Sequence, residues 1–146
     1  MKKTIAIGSD HRGYPLKELL INFLDSEDYQ VIDFGTHSEE SVDYPDYSVE
    51  VAKCVTNGDA QYGIAVCGSG IGVSIAANKA KGGRAVNATS EKITEMSRRH
   101  NDANIICFGS DFIDVATAIK YFNIFVSTEF EQGERHIRRV NKLNNL

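Results

Sequence analysis

Short runs of apolar and β-branched residues alternate along this chain with longer stretches whose apolar positions recur every three or four residues. The runs predict strands over residues 4–8, 30–34, 62–67, 84–88 and 104–109. Helices are predicted to begin near Pro15, Tyr47, Gly72, Ser90 and Phe112. Several runs are apolar at nearly every position, as expected where helices cover both faces of a parallel sheet. In the first helical stretch Pro15 suits an initial position, because its missing N–H has no partner there. Leu16, Leu19, Leu20, Phe23 and Leu24 follow on one predicted face. Ser90 is placed to cap a helix whose apolar residues are Ile93 and Met96. A basic helix carrying Arg135, His136, Arg138 and Arg139 closes the chain. With no internal repeat, low-complexity tract or linker, residues 1–146 read as a single α/β domain. The predicted architecture is a five-stranded, doubly wound, Rossmann-like parallel sheet with helices on both faces and a C-terminal helical tail.

Composition narrows the function classes. The 146 residues are 42% hydrophobic and 25% charged, which is ordinary for a globular protein. A net charge of −4 argues against nucleic acid as a partner, since phosphate binding needs a basic face. No apolar run approaches the ~20 residues of a membrane span. The start, Met1-Lys2-Lys3-Thr4-Ile5-Ala6-Ile7-Gly8, reads as a first strand and not as a cleaved leader. Cys54, Cys67 and Cys107 are too few and too widely spaced for a disulfide framework or a zinc site, so a cytoplasmic setting is expected.

Open α/β sheets bind ligands beyond the carboxyl ends of their strands. Those ends carry Ser9-Asp10-His11-Arg12-Gly13, Gly35-Thr36, Cys67-Gly68-Ser69-Gly70-Ile71-Gly72, Asn87-Ala88-Thr89 and Gly109-Ser110-Asp111. The third segment is the most telling. Its glycines miss the dinucleotide spacing by one residue and the Walker lysine pattern is absent. What is left is a glycine turn opening a helix, which aims N–H donors at an anion. Cys54 and Cys107 read as small buried hydrophobes, whereas Cys67 ends its strand beside a helix N-terminus, a setting that favours a reactive thiolate. Asp10 and His11 are candidate ligands for a hydroxyl or phosphate. Tyr44, before Pro45, is either a pocket wall or packing. His100 and Asn101 suit a helix C-terminus, and Arg135 and Arg139, four apart, share a face that can grip a phosphate.

Read together, Gly8-x-Asp10-His11-x-Gly13, Asp43-Tyr44-Pro45, the run from Cys67 to Lys79, His100-Asn101-Asp102-x-Asn104, Phe108-Gly109-Ser110 and Arg135-His136 form a recognisable series. The chain resembles, nearly end to end, the type B ribose-5-phosphate isomerases, whose family also includes the galactose-6-phosphate isomerase subunits. The resemblance implies an aldose–ketose isomerase of a phosphorylated sugar, without metal or cofactor. Its active site would lie between the subunits of a homodimer, with a tetramer as the larger assembly. Cys67 would be the base moving a proton between C2 and C1. Members of the family use either this cysteine or a glutamate later in the loop, and Val73 holds the later position here. The resemblance further implies that His100 assists ring opening and that Asn101 binds substrate. Asp10 and Tyr44 would contact hydroxyls or the ring, and His11, Arg135 and Arg139 the phosphate.

Enediolate chemistry needs a base, an oxyanion stabiliser and a grip on the unreactive phosphate. The Ser69 hydroxyl with the N–H groups of Gly68, Ser69, Gly70, Ile71 and Gly72 is expected to be the oxyanion stabiliser, which leaves the phosphate to the arginines at the far end of an extended sugar. The chain departs from the family at Asp111, where the type B enzymes commonly carry a phosphate-binding arginine. Either Asp111 points away or another cation substitutes, with Arg12, Arg98 and Arg99 as candidates. Two alternatives to ribose 5-phosphate remain at this stage. One is a six-carbon aldose 6-phosphate such as allose or galactose 6-phosphate; the other is a sugar-phosphate binding module without catalysis.

Overall fold

The computed structural model describes residues 3–146; Met1 and Lys2, part of the stretch read as a first strand, lie outside the described residues. Five strands, β1 (Thr4–Ser9), β2 (Gln30–Asp33), β3 (Tyr62–Cys67), β4 (Ala85–Asn87) and β5 (Ile105–Gly109), alternate with α1 (Tyr14–Ser26), α2 (Tyr44–Thr56), α3 (Ile71–Asn78), α4 (Glu91–Asn101) and α5 (Val115–Ser127). A last helix, α6 (Glu134–Asn144), follows. The strands form one sheet in the order β2-β1-β3-β5-β4, and all four pairings are parallel. The doubly wound sheet expected from the alternation is therefore the one observed.

Strand periodicity divides the core by residue size. Ile5, Ile7, Ile64, Val66, Ile106 and Phe108 point to the face covered by Leu16, Leu20 and Leu24 of α1 and by Phe122 and Phe125 of α5. Ala6, Ala65, Cys67, Ile105 and Cys107 point to the opposite face, toward Val51, Ala52 and Val55 of α2 and Val73 and Ala77 of α3. Small side chains on this second face let α2 and α3 settle close to the sheet, so the Cys67 side chain emerges beneath the start of α3.

Two boundary expectations are corrected. α2 begins at Tyr44, not near Tyr47, because Pro45 fits the first helical turn and does not precede it. α5 begins at Val115, not near Phe112, because the Asp114 side chain accepts the Thr117 N–H and caps it there. Phe112 is left in the preceding turn, 77% exposed. Ser90 does cap α4, accepting the Ile93 N–H at 3.0 Å. The buried residues of that helix, however, are Thr94, Ser97 and Arg98, while Ile93 and Met96 face outward. Leu19 of α1 is likewise exposed.

The crossover reverses direction between β1 and β3, since β1 leads to β2 on one side and α2 carries the chain to β3 on the other. Ser9 pairs with Val66 there, which brings the Asp10 and Cys67 loops side by side. A buried cation steadies this corner. Lys17 is fully buried, its Nζ 2.9 Å from both carboxylate oxygens of Asp33. Asp33 also accepts the Gly35 N–H, and the Gly35 carbonyl accepts the N–H of Ser9. Lys17→Ala is expected to lower unfolding stability by about 3 kcal/mol, the low end for breaking a buried pair because Asp33 is partly solvated. Urea denaturation checks this; a loss under about 1 kcal/mol, the range of an exposed pair, contradicts it.

Candidate active site

A cleft of about 460 Å³ opens at the carboxyl ends of β1 and β3, walled by Asp10, Arg12, Tyr44, Cys67, Gly68, Ser69, Ile71, Gly72, Ile75 and Asp111. Its position follows from the topology, because a crossover reversal leaves a crevice between the two strands. Cys67 lies at the base. Its Sγ accepts the Gly70 N–H at 3.2 Å, and the Ser69 hydroxyl accepts the Ile71 N–H at 3.1 Å. Two of the five N–H groups expected to hold an oxyanion are thus engaged inside the turn itself. Gly68, Ser69 and Gly72 provide the remaining backbone donors, and the Ser69 O–H stays available to donate.

The turn requires glycine twice. Gly70 has φ +77°, a left-handed conformation, and a Cβ there would fall against Asn87 Oδ1 and 2.9 Å from the Gly109 nitrogen. At Gly72 a Cβ would sit 2.5 Å from the Tyr44 ring. Tyr44 is therefore a wall of the cleft, packed on the first turn of α3. The loop after β5 is stitched to the same turn, since the N–H groups of Ser110 and Asp111 donate to the carbonyls of Cys67 and Gly68 at 2.9 Å each.

Asp10 is buried and accepts the Gly13 N–H through Oδ1 at 2.9 Å, holding the loop that leads into α1. His11 is half-buried and accepts the Val42 N–H on Nδ1 at 3.2 Å, which puts the ring's own proton on Nε2. Asp111 does not point away. It lines the cleft with its Oδ2 2.5 Å from Nη2 of Arg12. Of the three candidate replacement cations, Arg98 is buried and donates to Thr128, Asp102 and Ala103, and Arg99 pairs with Glu95 and Glu131. Arg12 alone of the three lines the cleft.

His100, Asn101, Arg135 and Arg139 are not brought to this cleft within one chain. α4 starts beyond β4 and runs back, so its last turn lies at the amino edge of the sheet, where neighbouring Arg98 stacks over Tyr62, the first residue of β3. There the His100 ring stacks on His136, with centroids 4.6 Å apart and planes 6° from parallel. Glu131 Oε2 stands 3.8 Å from His100 Nε2. His136, in the expected motif but given no role, and Glu131, not singled out by sequence, are the additions here. The ligand atoms of His100, Glu131 and His136 lie within 4.8 Å of one another, a spacing open to a metal. Their surroundings favour an anion. His136 Nε2 is buried without a partner among the described residues. Burial pushes the His136 pKa down, and His100, Arg135 and Arg139 push it down further against the opposing pull of Glu131. Arg135 and Arg139 share the exposed side of α6, as their spacing implied. Asn101 lines a separate cleft of about 580 Å³ beside β4 and Leu143.

The whole arrangement has counterparts. Residues 5–143 match the ribose/galactose isomerase family. The chain is 41% identical to ribose-5-phosphate isomerase B of Escherichia coli over 94% of its own length and 92% of that protein's. Its fold is similar to a ribose 5-phosphate isomerase structure from Thermotoga maritima, with TM-score 0.96, 40% identity and complete coverage of both chains. A ribose-5-phosphate isomerase B structure from Clostridium thermocellum gives TM-score 0.93 at 46% identity, over 97% of this chain and 95% of that one.

The three thiols sit in different environments. Cys67 lines an open cleft, whereas Cys107 is wholly buried and its thiol is pushed far up, first by burial and then by Cys67. Burial also raises the Cys54 thiol, and Asp59 adds to it. Because only thiolates react, iodoacetamide at pH 8 is expected to label Cys67 roughly tenfold faster than the other two. Peptide mass spectrometry over a time course reads the order; Cys54 or Cys107 labelled first contradicts the assignment.

Proposed function

The chain belongs to the ribose/galactose isomerase family, and from that premise we propose that it interconverts ribose 5-phosphate and ribulose 5-phosphate through an enediolate. The observation that carries the reading is Cys67, a thiol at the base of a cleft with a backbone N–H on its sulfur and a helix N-terminus beside it. In the proposed reaction the Cys67 thiolate removes the C2 proton of the open-chain aldose. The electron pair moves to the C1 carbonyl, whose oxygen becomes the enediolate anion. Ser69 O–H and the remaining N–H donors of the turn stabilise that charge as it develops. The C2 hydroxyl proton passes to O1, and the thiol then returns its own proton to C1 as the C2 oxygen becomes the ketone, which regenerates the thiolate.

His100 serves ring opening and Asn101 contacts substrate in this reading. Asp10 and Tyr44 meet the hydroxyls, and His11, Arg135 and Arg139 hold the phosphate and so orient the reacting carbons. Since Cys67 and His100 lie at opposite edges of the sheet, the site is completed by a second copy of the chain. Uncovered apolar residues support this pairing. Ile71 and Ile75, on one side of α3 at the cleft, are 56% and 55% exposed, and Ile93 and Met96 of α4 also face outward. Three unpaired thiols suit the reducing cytoplasm, and no helix among the described residues is long and apolar enough to cross a membrane.

Assay of ribose, allose and galactose phosphates is expected to give the highest kcat/KM on ribose 5-phosphate. Cys67→Ala is expected to reduce turnover by ~10²–10⁴-fold, the contribution of a positioned base, while still binding inorganic phosphate. A preference for a hexose phosphate contradicts the substrate, and undiminished turnover by Cys67→Ala contradicts the base. Stabilisation by sugar phosphates with no turnover at all would instead identify a binding module.

A further inference from the structure

The cleft that holds Cys67 contains an ion pair for which the chemistry above has no use. Arg12 and Asp111, 99 residues apart in sequence, meet at 2.5 Å across its rim. The pair lies directly over the catalytic turn, since a Cβ built on Gly68 would come 2.9 Å from Arg12 Nε and 3.1 Å from Asp111 Oδ2. Both side chains are solvated, Arg12 at 58% and Asp111 at 43%, and an exposed pair of this kind holds weakly. A stabilising staple is thus a poor account of it.

Arg12 is the one cation among the residues walling this cleft. Lys17 is committed to Asp33 and Glu18, Arg98 to its buried carbonyls and Asp102, and Arg99 to two glutamates. Arg135 and Arg139 lie on α6 at the other edge. The Asp111 contact uses one of the five N–H donors that a guanidinium carries, which leaves the rest of its fork for a dianion. Asp111, followed by Asp10 and Cys67, holds Arg12 in its charged state.

Resting on the isomerase reading, we propose that Arg12 is a substrate-binding residue. It is the guanidinium that the Cys67-bearing copy extends to the sugar phosphate, and Asp111 is the positioning residue that aims it. Before substrate arrives, the carboxylate keeps the guanidinium over the turn. An incoming phosphate then takes the free side of the fork, and the guanidinium shields it from Asp111. The carboxylate therefore has opposing effects: it orients the arginine and also competes for it.

This separates the two residues experimentally. Arg12→Ala is expected to raise KM for the sugar phosphate at least tenfold with kcat changed less than threefold, and Arg12→Lys to recover part of the loss. Asp111→Asn, which leaves Arg12 charged and removes its competitor, is expected to leave KM unchanged or lower it. Stabilisation by inorganic phosphate, read as a shift in Tm, should shrink in Arg12→Ala and persist in Asp111→Asn. Equal rises in KM for Arg12→Ala and Asp111→Asn would show a loop staple and overturn the proposal. So would an Arg12→Ala variant with unchanged KM and phosphate shift. Failure of the parent protein to turn over any sugar phosphate overturns the isomerase reading instead. The phosphate shift in Arg12→Ala is read independently of turnover.

Discussion

The uniform direction of the five strands governs what this molecule can do. Every strand delivers its carboxyl end to the same edge, and each connecting helix must bring the chain back to the other. Loops that follow strands therefore collect Asp10, Cys67 and Asp111 in one cleft. Residues that end a returning helix, as His100 ends α4, collect at the opposite edge. No side-chain rotation closes that separation, because it spans the sheet. Two groups of chemistry-bearing residues on one small domain thus imply either two sites or one site shared by two copies. The exposed isoleucines of α3 beside the cleft favour the shared site.

The two groups differ in electrostatic character, and that difference is in keeping with the roles proposed for them. The Cys67 turn has N–H donors close to a sulfur and a glycine-lined backbone, suited to a charge that develops during reaction. The His100 group has Arg135 and Arg139 near the buried His136 imidazole, whose pKa is pushed down first by burial and then by its cationic neighbours. That setting suits a charge already present on the substrate. A glycine turn at a helix N-terminus invites a phosphate on general grounds. Here two of its donors are used by Cys67 and Ser69, so it has limited capacity for a dianion. The Arg12 proposal extends the same division, with a fixed positive group at the rim to hold the phosphate and backbone donors at the base to meet the enediolate.

Much of this was legible in the sequence because it is local. β3 falls at its expected residues, and the passage from Cys67 through three glycines into α3 follows from residue type alone. Errors arose where a local pattern has two outcomes. Pro45 can end a turn or open a helix. Phe112 and Ile93 are apolar without being buried, since periodicity finds an apolar face but not what covers it. Asp111 with Arg12 was not legible as a pair, because charge complementarity across 99 residues leaves no mark in the local pattern. The separation of His100 from Cys67 needed the direction of α4 relative to the sheet. The consumption of the Gly70 and Ile71 N–H groups needed the turn's actual hydrogen bonds.

The central claim is that a working site takes Cys67 from one copy and His100 from another. Mixing inactive Cys67→Ala and His100→Ala proteins, with time for subunit exchange, tests it most directly. Every mixed dimer then holds one intact site and one doubly altered site. Turnover should rise well above that of either variant, toward about a quarter of the parent's at equal mixing, since about half of the dimers are mixed. A mixture no more active than the average of its components, despite demonstrated exchange, would contradict the account.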